Sequence, residues 1–199
     1  NILNDNKIAI SQSKDTFLKD LKEIKPEALY LVPRVLELIK NKLSFLDTSL
    51  TKIFIPTALK YIFGGNLKHV FLGGAKLNED TKFFFENNGI VICEGYGCTE
   101  TSPIVSVNHS IYPRNIESIG KILDSVIVEI INDEIQVSGP SVMLGYWKDK
   151  KSTDKALKFR DNRIWYLTGD KGEIKDGYLY YKGRISENYK LSNGKFVTV

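Results

Sequence analysis

Apolar residues along the first half of the chain recur at two alternating periods. Lys7 to Ile10 reads as a short buried strand, and from Ser13, placed as an N-cap, Phe17, Leu18, Leu21 and Ile24 fall on one face of a helix that Pro26 ends. Ala28 to Val32 reads as a second strand. Pro33 then opens a helix from Arg34 to about Leu43 that carries Val35, Leu36, Leu38 and Ile39. Pro56 to Phe63 is a weaker helix closed by Gly64-Gly65, and Leu67 to Leu72 is a strand that runs into Gly73-Gly74-Ala75. A helix over Asn78 to Asn88 and a strand over Ile90 to Cys93 complete the series. The cluster Phe83, Phe84 and Phe85 is expected to be core against the sheet. Such alternation predicts an α/β fold, with a parallel sheet and helices on its faces.

Beyond about Pro113 the pattern shortens to a period of two. Val126 to Ile131, Glu134 to Val137 and Tyr178 to Tyr181 read as strands, with Asn132-Asp133 and Asp176-Gly177 as hairpin turns. A small antiparallel β-barrel or sheet follows from this half. The chain opens without methionine and stops in the β-branched run Lys195 to Val199, so the expectation is a piece of a longer polypeptide.

Composition decides class and little more. The 199 residues are 42% hydrophobic and 26% charged, ordinary values for a globular chain. The net charge of +4 comes from lysines spread over many segments, not from a stripe, so no nucleic-acid partner is expected. Cys93 and Cys98 lack both the spacing and the histidine company of a zinc site, which fits a reducing, cytoplasmic setting. No run approaches the roughly 20 apolar residues that span a bilayer, which leaves peripheral membrane contact open.

Chemistry concentrates at Glu94 to Pro103, which reads Glu-Gly-Tyr-Gly-Cys-Thr-Glu-Thr-Ser-Pro. Gly95 and Gly97 permit close backbone approach, Tyr96 offers a flat face to a purine, Thr99 suits a phosphate oxygen and Glu100 suits Mg²⁺. A plain glycine turn with Tyr96 in the core would explain the glycines alone, but asks for neither Thr99 nor Glu100. Gly73-Gly74-Ala75 also follows a predicted strand, and open α/β sheets bind ligands where such loops converge. Thr168-Gly169-Asp170 precedes the second hairpin and is weak by itself, being common turn chemistry.

In this order, Tyr96-Gly97-Cys98-Thr99-Glu100, Thr168-Gly169-Asp170 and Gly183-Arg184 resemble the signatures of the adenylate-forming superfamily. Glu117 to Lys121, Val137 to Trp147 and Lys25-Pro26 with Val32 to Val35 resemble segments of its long-chain fatty acyl-CoA synthetases. The resemblance covers nearly the whole chain. It implies an ATP- and Mg²⁺-dependent acid–thiol ligase that activates a fatty acid as acyl-AMP and transfers it to CoA, or alternatively to acyl carrier protein. A non-catalytic nucleotide-binding relative is the alternative of another class.

By that resemblance Gly74, Ala75 and Tyr96 contact adenine, Gly73, Gly95 and Gly97 belong to the same nucleotide-binding loops, Thr99 meets the α-phosphate and Glu100 holds Mg²⁺. Asp170 and Arg184 reach the ribose, Ser186 stands at the hinge pivot where aspartate or lysine is usual, and Lys190 lies on the thiol or CoA side. Leu36 stands where some long-chain members carry a gating tryptophan. The implied domains are 1–112, an α/β part of the large domain; 113–184, its β-rich part; and 185–199, the hinge and start of a small C-terminal domain. The phosphate loop is expected upstream of Asn1 and the adenylation lysine downstream of Val199, so residues 1–199 alone are expected to be a poor catalyst.

Overall fold

Val32 is extended (φ −92°, ψ 148°) because proline follows it, and Pro33 starts a helix where its missing N–H has no intrahelical role. Many elements of the chain are set by such local rules. In the computed structural model the described residues are 7–11, 13–48, 50–109 and 113–185, with the backbone alone of 188–190 and 196–198. They form two compact units, Asn1–Ile92 and Cys93–Val199.

In the first unit, β1 (Ala28–Leu31) pairs in parallel with β2 (His69–Leu72), with Ala28 opposite His69 and Leu31 opposite Leu72. The helices are α1 (Phe17–Ile24), α2 (Pro33–Leu43), α3 (Ile55–Phe63) and α4 (Glu79–Asn87). Leu36, Leu59, Phe63, Val70, Leu77, Phe85 and Ile92 are the most deeply buried of its core. The Leu36 side chain is thus packing, at 0% exposure. Asn78 caps α4 by accepting the Thr81 N–H at 3.3 Å, and Glu79 and Asp80 sit in its first turn beside the positive end of the helix. Gly64 ends α3 at φ 81°, where an added Cβ would lie 2.4 Å from the Leu21 carbonyl oxygen.

Three expectations for this unit are corrected. Residues 7–10 form no strand, and Ile8 and Ile10 are exposed. The apolar run Ile8-Ala9-Ile10 without a ladder partner gains nothing from extension. The first helix begins at Phe17 with Thr16 as its N-cap, because Ser13 and Thr16 exchange bonds between their hydroxyls and backbone N–H groups, each at 3.2 Å, in a turn ahead of the helix. Phe83 is 40% exposed while Phe84 and Phe85 are buried, since three successive helical residues spread over too wide an arc to share one face.

The second unit is antiparallel. Its strands are the end of β3 (Val91–Tyr96), β4 (Ser106–Val107), β5 (Lys121–Ile122), β6 (Ile127–Ile131), β7 (Glu134–Ser138), β8 (Leu157–Arg160), β9 (Arg163–Lys175) and β10 (Tyr178–Arg184), with α5 (Lys150–Ala156) before β8. Their order is β3-β4-β5-β10-β9-β7-β6, and β8 also lies on β9. The sheet is open, so the barrel half of the expectation is replaced by a sheet. Asn132-Asp133, Asp161-Asn162 and Asp176-Gly177 all take positive φ and turn the hairpins tightly, as the right-handed twist of the flanking strands prefers. A core of Val105, Ile135, Val137 and Leu179 lies beneath. β11 (Asn188–Lys190) and β12 (Phe196–Thr198) form a separate antiparallel pair.

Candidate nucleotide site

β3 runs further than the apolar pattern suggested, so Gly95 and Tyr96 are strand residues paired with Val107 and Ser106 of β4. Gly97 follows. An added Cβ there would meet the Pro103 carbonyl oxygen at 1.9 Å, so the chain's own close approach demands glycine at this position. Cys98 then caps a single 3-10 turn over Thr99–Thr101, its backbone N–H donating to Thr101 Oγ1 at 3.0 Å. Thr99 is exposed and Glu100 half-buried on that turn.

The centre of the site is Asp170. Its Oδ2 accepts the Tyr96 hydroxyl at 2.7 Å and its Oδ1 accepts Arg184 Nη1 at 3.0 Å. Asp170 lies mid-strand in β9, its backbone N–H donating to Thr168 Oγ1 at 3.0 Å while that hydroxyl donates to the Ile135 carbonyl at 2.7 Å. Gly169 N–H is held by Glu134 Oε1 at 2.9 Å, and Arg184 is directly opposite Asp170 in the β9–β10 pairing. Strand register therefore delivers both members of the ion pair.

Glu100 is the second focus. Its Oε1 accepts the Tyr146 hydroxyl at 2.8 Å, and its backbone carbonyl accepts the Met143 N–H at 2.8 Å. Burial alone would raise the Glu100 pKa, but its own backbone N–H, the Tyr146 hydroxyl and the Arg184 charge outweigh it and hold the carboxyl below its ordinary value. Asp170 in turn raises the Arg184 guanidinium further above its already high value. Burial pushes the Tyr96 and Tyr166 hydroxyls far above the ordinary tyrosine range, helped by Asp170 for the first and by Cys98 and Glu100 for the second. Burial also raises the Cys98 thiol. The outcome is that Glu100 is kept ionised beside the Tyr146 hydroxyl, while the Tyr96 and Tyr166 hydroxyls stay neutral.

Of the residues singled out from sequence, Tyr96, Asp170 and Arg184 are joined by direct bonds, and Glu100 senses Arg184 electrostatically. Gly73, Gly74 and Ala75 follow β2 in the first unit, with Gly74 at φ 86° and open space where a side chain would stand. Ser186 lies outside the described residues, and Lys190 is placed only by its backbone in β11. Sequence reasoning missed Tyr146, Glu134 and the locking role of Thr168. Tyr146 was within reach, being part of the Gly145-Tyr146-Trp147 segment already noted.

The chain belongs to the AMP-binding enzyme family, whose model matches residues 5–147. Among curated relatives, the long-chain-fatty-acid–CoA ligase FadD15 of Mycobacterium bovis is 35% identical over 141 residues, covering 70% of this chain and 23% of the relative. The chloroplastic long-chain-fatty-acid–[acyl-carrier-protein] ligase AEE15 of Arabidopsis thaliana is 29% identical, covering 63% of this chain and 20% of the relative. The chain thus spans about a quarter or less of the length of these relatives. Among solved structures, the A domain of carboxylic acid reductase from Segniliparus rugosus, in complex with AMP and a co-purified carboxylic acid, matches with a TM-score of 0.70 at 25% identity. That match covers 92% of this chain and 31% of that one.

Proposed function

We propose that the polypeptide containing these residues is an acid–thiol ligase that activates a fatty acid as acyl-AMP at the expense of ATP and transfers the acyl group to CoA. The observation that carries the reading is Asp170, held from two sides by Tyr96 and Arg184, with the Arg184 charge also felt by Glu100. Each carboxylate oxygen has two lone pairs, so Asp170 retains acceptor capacity for the two vicinal hydroxyls of a ribose. Arg184 lies beside it and reaches the same sugar, while Tyr96 serves adenine, with Gly95 and Gly97 shaping the chain around it; Gly73, Gly74 and Ala75 are proposed as nucleotide-binding residues of the first unit. Thr99 meets the α-phosphate.

The donor set fits Mg²⁺. Among the described residues no group of three or more His, Cys, Asp and Glu side chains converges, so an all-protein metal cage is not what this site offers. Mg²⁺ characteristically takes one or two carboxylates and completes its shell with water and substrate phosphates, and Glu100, kept ionised, supplies such a carboxylate. When bound, the ion would neutralise charge on the phosphates.

In the first step a fatty-acid carboxylate oxygen attacks the α-phosphorus. The new P–O bond forms as the bond to pyrophosphate breaks, and Thr99 stabilises the developing charge. In the second, the CoA thiolate attacks the acyl carbonyl, a C–S bond forms and AMP leaves. Ser186 is proposed as the pivot between these steps and Lys190 as a residue of the thiol side. The proposed division is 1–112 and 113–184 within the large domain, and 185–199 for the hinge and the start of the small one. The activity is placed in the cytoplasm. Among the described residues no helix is long and apolar enough to cross a membrane.

Transfer to acyl carrier protein is a second reading, favoured by the likeness to AEE15. Hydroxylamine trapping with the full-length polypeptide, ATP, Mg²⁺ and fatty acids of graded length tests the first step. Hydroxamate from one range of chain lengths is the expected result, and CoA against carrier protein as acceptor then separates the two readings. Folded full-length protein that yields no hydroxamate from any fatty acid overturns the substrate class.

A further inference from the structure

Glu100 sits on a single 3-10 turn, a support with little stiffness of its own. What steadies it comes from the segment after β7. Met143 N–H donates to the Glu100 carbonyl and the Tyr146 hydroxyl to Glu100 Oε1, each at 2.8 Å, so main chain and side chain are both held. The segment is itself anchored on the far side. Tyr146 N–H donates to Thr153 Oγ1 at 2.9 Å, and Thr153 donates that hydroxyl to the Asp149 carbonyl at 2.8 Å. Gly145 is packed so closely on Thr153 that an added Cβ would lie 2.8 Å from Thr153 Cγ2.

A carboxylate side chain on a short turn has several staggered rotamers available. A hydroxyl fixed by an anchored backbone selects one of them by binding one oxygen of the carboxylate. Tyr146 is 37% exposed, so its ring contributes modestly to the core and its hydroxyl is the part with a specific partner. The geometry points to Tyr146 as a positioning residue that presets Glu100 for Mg²⁺. It acts through Glu100 and rests on the metal-holding reading of that residue given above.

The test uses the full-length polypeptide and a non-hydrolysable ATP analogue, whose dissociation constant is measured calorimetrically with and without Mg²⁺. The ratio of the two constants reports metal-dependent binding apart from turnover. Tyr146→Phe keeps the ring and removes only the hydroxyl. It is expected to lower the ratio about fivefold while leaving the metal-free constant and the melting temperature unchanged, in keeping with loss of one hydrogen bond to a charged group near the surface. Glu100→Gln is expected to remove most of the metal dependence, and Tyr146→Phe added to it to have no further effect. An unchanged ratio in Glu100→Gln would overturn the metal-holding reading itself. A normal ratio in Tyr146→Phe beside a collapsed one in Glu100→Gln would overturn the positioning role alone, as would an equal weakening with and without metal.

Discussion

The Tyr96 hydroxyl donates to Asp170 at 2.7 Å across 74 residues of chain. One end of this bond lies in the best-marked motif of the sequence and the other in a tripeptide that had little force by itself. Their meeting makes a single site of two separate signals.

Removing the hydroxyl tests that meeting. Tyr96→Phe should cost about 1–3 kcal/mol of stability, the usual penalty for leaving a buried partner short of a bond, and should weaken ATP binding several-fold. Denaturant melts and nucleotide titration of the full-length polypeptide measure the two effects.

Alkali should act through the same hydroxyl. Its folded pKa lies above its unfolded value of about 10, so the folded state holds the proton more tightly. The stability this contributes is complete below about pH 10 and falls as pH rises through the folded value. Melts between about pH 8 and pH 11 should show a decline that is shallower in Tyr96→Phe.

Asp170→Ala strips partners from both Tyr96 and Arg184, so it should lower stability as well as ATP affinity. Asp170→Asn keeps a neutral acceptor and should recover most of the stability but little of the affinity. If both variants melted like the wild type, the clamp would have no structural weight.

Glu100→Ala should divide the two properties the other way. The carboxylate is half-buried on a turn and contributes little to packing, so adenylation should fall about 100-fold or more with a change in stability within about 1 kcal/mol. Parallel loss of melting temperature and activity would contradict this.

Glycines offer a contrast. Gly97→Ala forces a Cβ to within 1.9 Å of the Pro103 oxygen and should destabilise by about 3 kcal/mol, the upper end of the usual overpacking range, since backbone must move. Gly74→Ala meets no atom within 4 Å and should cost only the left-handed backbone strain, about 1–2 kcal/mol. Thermal melts of the two variants side by side suffice.

Much of this was legible beforehand, for identifiable reasons. Pro33, Asn78 and Gly64 act through local sterics and capping, so α2, α4 and the end of α3 could be read from neighbours in sequence. Phe83 could not be told from Phe85 because facing depends on where the helix lands. Residues 7–10 had the composition of a strand, but pairing is a long-range event. At the site, residue identity marked Tyr96, Glu100 and Asp170, whereas the partners of Glu100 and Gly169 come from Tyr146 and Glu134, which no local spacing connects to them.

β9 has neighbours on both sides along its middle. Tyr166 is flanked by Val137 and Leu157, and Lys171 by Glu134 and Gly183. Amide protons there should be among the slowest of the second unit to exchange with solvent, because no partial opening frees them. A carboxylate carried by such a segment does not wait for a nucleotide to be arranged. The site proposed for the ribose should have the same form in the empty and the loaded protein, and nucleotide binding should show little of the unfavourable entropy that accompanies ordering of a loop.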